Sequence, residues 1–117
     1  MKIFKKYTFD SAHYLPNVSD NHKCKRMHGH TYHLTVFIEG EIDQKYGWII
    51  DFNDIKKTLN PIIEELDHHI LNEIKGLENP TCEILAKWLY ERIKPEISLL
   101  ESIEIYETPT SGAIYCQ

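Results

Sequence analysis

No apolar run in these 117 residues approaches the roughly 20 needed to cross a bilayer. The opening Met1-Lys2-Ile3-Phe4-Lys5-Lys6 carries charge but lacks the apolar core of a secretory signal. Cysteine is scarce and odd in number: Cys24, Cys82 and Cys116, with no C-x-x-C pair. A disulfide framework is therefore not expected, and a reducing, cytoplasmic setting fits better. Glycine is also sparse, and no G-x-G-x-x-G pattern follows a strand, which argues against a bound dinucleotide. The net charge of −5 gives no bulk attraction to nucleic acid or to anionic membrane. One local absence runs the other way. Between His22 and His33 there is no acid, only Lys23, Lys25, Arg26 and four histidines, so a small electropositive neighbourhood is expected there.

What is present is ordinary globular material, 42% hydrophobic and 26% charged. The length suits a single domain over residues 1–117 that buries roughly two thirds of its unfolded surface. No repeat, linker or low-complexity tract divides it. Residues 3–13 favour a strand, broken by Leu15-Pro16-Asn17. Residues 28–39 alternate, with His28, His30, Tyr32, Leu34, Val36 and Ile38 on one face and Thr31, His33, Thr35 and Phe37 on the other. Gly40 and Gly47 bracket a turn, and Asp51 is a candidate N-cap. Ile55, Leu59, Ile62, Ile63, Leu66 and Ile70 then recur at helical spacing, with Pro61 a candidate kink. A second helix is expected from Asn79-Pro80-Thr81, with Thr81 as cap and Ile84, Leu85, Trp88, Leu89 and Ile93 as its stripe, up to Pro95. Residues 102–108 and 113–116 read as strands around a Pro109-Thr110-Ser111-Gly112 turn. The fold class is α+β: a four-stranded antiparallel sheet, order ββααββ, with two helices on one face.

The chemistry concentrates in Cys24-Lys25-Arg26-Met27-His28-Gly29-His30. Positions i and i+2 of a strand share a face, so His28 and His30 aim two imidazoles at one point, an arrangement that suits zinc. One more ligand would leave the open position of a catalytic site, and spacing alone leaves His13, His22 and Cys24 as candidates. A cupin-type H-x-H site would want a glutamate a few residues on, and Thr31-Tyr32-His33-Leu34-Thr35 supplies none. Cys24 is a ligand, a reactive thiolate stabilised by Lys23, Lys25, Arg26 and a dication, or an inert thiol. Cys82 and Cys116 read as small buried hydrophobes. Helix phase carried past Leu66 points His68 of Asp67-His68-His69 away from the core, towards solvent or a neighbouring subunit. Glu107 extends the Ile103–Ile105 face, where a carboxylate needs a partner such as a planar amidine-like edge.

Phe9-Asp10-Ser11-Ala12-His13, Cys24-x-x-x-His28-Gly29-His30, Gly47-Trp48-Ile49-Ile50-Asp51-Phe52, Leu66-Asp67-His68-His69 and Asn79-Pro80-Thr81 together resemble the 6-pyruvoyl-tetrahydropterin synthase family over essentially the whole chain. The three-residue gap between Cys24 and His28 is closest to its bacterial 6-carboxy-tetrahydropterin synthase branch. The resemblance implies a tunnelling fold (T-fold) whose sheets join into trimeric barrels, stacked as hexamers, with active sites shared between subunits. It implies Zn2+ on His13, His28 and His30, a catalytic Cys24 working with Asp67 and His68 across a subunit boundary, and substrate binding by Glu107, on the pterin ring, and by Thr81. The implied reaction, in queuosine and deazapurine biosynthesis, converts 7,8-dihydroneopterin triphosphate to 6-carboxytetrahydropterin, acetaldehyde and triphosphate. Lys23, Lys25 and Arg26 would help hold the triphosphate. The alternatives are a pyruvoyl-forming synthase and a zinc-stabilised oligomer that holds a pterin without turning it over.

Overall fold

The computed structural model describes residues 1–117. Strands β1 (Lys2–His13) and β2 (His28–Glu39) are followed by helices α1 (Phe52–Leu66) and α2 (Cys82–Ile93), then strands β3 (Leu100–Thr108) and β4 (Ser111–Cys116). The four strands form one sheet in the order β1-β2-β3-β4, every pair antiparallel. The expected ββααββ order and α+β class are what the chain adopts. The alternation in β1 and β2 decides the layering. Phe9, Tyr32, Leu34, Val36, Ile38, Ile103 and Ile105 are buried on the face the helices cover, while Phe4, Tyr106 and Ile114 remain exposed.

Helix α1 starts where Asp51 accepts a hydrogen bond from the Asn53 amide at 2.9 Å, and it buries Ile55, Leu59, Ile62 and Leu66. It runs through Pro61 without interruption and ends at Leu66, so Ile70 belongs instead to a bridge with Ala12. Helix α2 departs from its expected stripe. Its buried residues are Cys82, Leu85, Ala86, Leu89, Tyr90 and Ile93, whereas Ile84 is exposed. The alanine, cysteine and tyrosine on the buried face hid the true phase. The two helices are tied by Arg92, whose guanidinium donates to both carboxylate oxygens of Glu65 at 3.2 and 2.5 Å. The last hairpin turns on Pro109-Thr110, because Ser111 and Gly112 already belong to β4. Cys116 corrects another expectation: it is exposed, and only Cys82 is a buried thiol.

Leu59 is fully buried between α1 and the sheet. Leu59→Ala should lower unfolding stability by about 2–5 kcal/mol in denaturant titration, through lost transfer energy plus the cavity left behind.

Candidate active site and metal centre

Pairing of β1 with β2 puts His13 opposite His28 and Ser11 opposite His30. Both strands present these histidines to the helix-covered face, so three imidazoles meet at one end of the sheet. One ligand nitrogen from each lies within 4.8 Å of the others. His13 Nε2 and His28 Nε2 are 3.0 Å apart. Nδ1 of His13 donates to the Pro80 carbonyl at 2.8 Å, and Nδ1 of His28 donates to the Arg26 carbonyl at 2.8 Å. Carbonyls only accept, so each Nδ1 carries the proton and each Nε2 turns a lone pair inward.

Two lone pairs facing each other at 3.0 Å repel unless a cation lies between them. A proton fills that role poorly near neutrality. Burial holds His13 and His30 below the ordinary histidine value, and their histidine neighbours lower both further. Two ligands of one tetrahedral zinc stand about 3.3 Å apart, given nitrogen–metal distances of about 2.0–2.1 Å. The donor set therefore fits a divalent cation. The carbonyls are the outer partners that such ligands need for orientation.

The other expected residues divide into two places. A cleft of about 600 Å³ is lined by His13, Cys24, His28, His30, Thr81 and Glu107. Cys24 sits in the short turn Lys23–Lys25, where its amide donates to His22 Nδ1 at 3.1 Å. Neither His22 nor Cys24 joins the three-histidine cluster. Lys23 lines the cleft. Lys25 instead donates to the Pro16 and Val18 carbonyls at 2.7 and 3.3 Å, which commits it to holding the loop. Thr81 caps α2, its hydroxyl accepting from the Ile84 amide at 3.2 Å.

Asp67 and His68 do not line that cleft. They follow α1, with His68 in the left-handed region at φ 59° and its side chain exposed. The outward direction expected from helix phase is real, but its cause is this helix-ending turn. Asp67 Oδ2 lies 2.9 Å from His68 Nδ1, and Asp67 Oδ1 accepts from the Asp10 amide at 2.8 Å. The His68 amide donates to the Asp10 carbonyl at 2.6 Å. The hydrogen bond and charge of Asp67 raise His68 above its ordinary value, while the Asp10 amide and then His68 hold Asp67 below its own.

Sequence reasoning missed the Pro80 and Arg26 carbonyls and the Tyr32 hydroxyl, 3.3 Å from His13 Nδ1. The only available signal for Tyr32 was its place on the His28–His30 face. Nothing in a sequence marks which carbonyl will meet an imidazole.

The profile of the family described as 6-pyruvoyl tetrahydropterin synthase matches residues 2–117. The chain belongs to that family. A 6-carboxy-5,6,7,8-tetrahydropterin synthase of Synechocystis sp. is 35% identical over 119 residues, covering 97% of this chain and 91% of the relative. A dihydroneopterin monophosphate aldolase of Pyrococcus furiosus is 38% identical, covering 82% of this chain and 77% of the relative. The 6-pyruvoyl tetrahydropterin synthase structure from Caenorhabditis elegans superimposes with a TM-score of 0.93 at 26% identity, covering 100% of this chain and 95% of the other. This member of the synthase family therefore has the T-fold. No helix in it is long and apolar enough to cross a membrane.

Proposed function

We propose that this chain is a zinc-dependent 6-carboxy-5,6,7,8-tetrahydropterin synthase. It would take 7,8-dihydroneopterin triphosphate and water to 6-carboxytetrahydropterin, acetaldehyde and triphosphate, in the cytoplasm, for queuosine and deazapurine synthesis. The observation that carries the reading is the three-imidazole cluster with inward Nε2 atoms, opening on the same cleft as Cys24 and Glu107. The 35% identity to the Synechocystis 6-carboxy-5,6,7,8-tetrahydropterin synthase over almost the full chain supports the choice of product.

His13, His28 and His30 would hold the metal. When bound there, zinc supplies Lewis acidity to the hydroxyls of the substrate side chain. The Glu107 carboxylate accepts paired N–H donors from the pterin's amidine-like edge, which fixes the ring in the cleft. Cys24, as thiolate, takes a proton from a side-chain carbon. A protonated His68 on the neighbouring subunit, charged through Asp67, returns one. Ring reduction draws its two electrons from the side chain as that carbon becomes a carboxylate, so no outside reductant is needed. Lys23, which lines the cleft, would meet the triphosphate. Residues 1–117 act as one pterin-binding domain, assembled as a trimer or hexamer, because Asp67 and His68 lie outside their own chain's cleft.

Product analysis by mass spectrometry tests the reading. Acetaldehyde with a carboxylated tetrahydropterin is expected. A pyruvoyl pterin without carbon loss would identify the pyruvoyl-forming reaction, to which a 30% identical 6-pyruvoyl tetrahydrobiopterin synthase of Drosophila melanogaster points. The Pyrococcus furiosus relative favours a second reading, aldol cleavage of a dihydroneopterin phosphate. That reaction would release phosphorylated glycolaldehyde and leave the ring unreduced.

Site sharing has its own test. Mixed oligomers of inactive Cys24→Ala and His68→Ala chains should regain about a quarter of wild-type turnover, because random pairing reunites intact halves that often. No recovery in verified mixed oligomers would place both residues in one chain's site.

A further inference from the structure

Glu107 does not stand on a regular strand. In the β3–β4 register Tyr106 faces Gly112 and Thr108 faces Ser111, which leaves Glu107 as the extra residue of a bulge. Bulges re-aim side chains and disrupt the local ladder, so a residue placed there needs support from outside the sheet. The support comes from α2. Cys82, its first residue, is buried, and its thiol donates to the Ile105 carbonyl at 3.4 Å, two residues before Glu107. One side chain thus ties the start of α2 to β3 immediately before the bulge. Cys82 lines the cleft beside Thr81 and Glu107 as well.

We infer that Cys82 is a positioning residue: its sulfur braces the β3 bulge and so sets the direction in which the Glu107 carboxylate meets a planar, amidine-bearing ring. The inference rests on the pterin-binding reading of Glu107. Cys82 itself does no chemistry. Burial pushes its thiol up to about 11, so it remains an S–H donor at neutral pH. A bulky β-branched residue would fill the space but could not donate to the Ile105 carbonyl. Serine keeps the donor in a smaller group.

The test is equilibrium binding of 7,8-dihydroneopterin, followed by its fluorescence, to metal-loaded protein. Glu107→Gln should weaken binding by at least about tenfold, because a charge-assisted pair is lost. Cys82→Val should weaken it by about three- to tenfold with metal content unchanged, and Cys82→Ser should recover most of that loss. In the Glu107→Gln background, Cys82→Val should add almost nothing, because the carboxylate it positions is gone. A merely structural role would weaken both backgrounds equally, and that result would overturn the inference. Full affinity in a folded Cys82→Val chain, alongside a weakened Glu107→Gln chain, would also overturn it while leaving the pterin-binding reading standing. Full affinity in Glu107→Gln would remove the parent reading instead.

Discussion

His28→Ala is expected to strip the metal and abolish turnover together while leaving the sheet intact. His28 is only partly buried, at the first position of β2, so truncation there opens no core cavity. It removes one of three inward nitrogens and leaves two, a set that no longer encloses a cation. The fall in zinc affinity should exceed the about 10–100-fold that changes to outer partners cost. Elemental analysis after dialysis against a fixed free-zinc buffer measures it, with circular dichroism as the control for folding. Tyr32→Phe makes a graded comparison. It removes only the hydroxyl near His13 Nδ1 and should cost at most about tenfold.

Cys24→Ala should give the opposite pairing of results, with turnover lost and metal retained. The thiol lines the cleft but is no member of the histidine cluster, so its removal leaves all three ligands in place. As the proposed base it should account for about 10²–10⁴ in kcat. Steady-state assays with metal analysis on the same sample decide it. If the alanine variant loses its metal, Cys24 is a ligand and the open position of the site is gone.

The histidine values also set a direction with pH. His13 and His30 lie below 6.5 in the folded chain and at 6.5 when unfolded, so the unfolded state binds more protons as pH falls. In metal-free protein the stability that His13 and His30 contribute should therefore be lost on acidification below about 6.5, the unfolded histidine value. Bound metal, which needs the neutral rings, should be released over the same range. Thermal melts of metal-free and loaded protein between neutrality and mild acidity would show both.

Strand alternation made β1, β2 and the inward face legible, because a period of two admits a single assignment of sides once Leu34, Val36 and Ile38 are buried. The same alternation put His28 and His30 together. It could not choose among His13, His22 and Cys24, because that choice depends on a β1–β2 register joining residues fifteen apart. Helix α2 was misread at Ile84 because Cys82, Ala86 and Tyr90 carry much of its buried face, and such residues give weak periodicity. His68 was placed outward for an incomplete reason. Asp67 is already extended, at φ −69° and ψ 131°, so the helix has ended before phase can apply to His68, and no glycine announced the turn that His68 makes at φ 59°. The bulge at Glu107 was invisible for a related reason: it exists only in the β3–β4 register, which pairs Tyr106 with Gly112 and Thr108 with Ser111.

Zinc content and products measured on one sample bear most directly on the whole account. A folded preparation should carry metal in stoichiometric amount and release acetaldehyde and 6-carboxytetrahydropterin in equal yield from 7,8-dihydroneopterin triphosphate. Chelation should stop both products, and zinc should restore them. A folded, metal-free sample that converts the substrate at the full rate would contradict it.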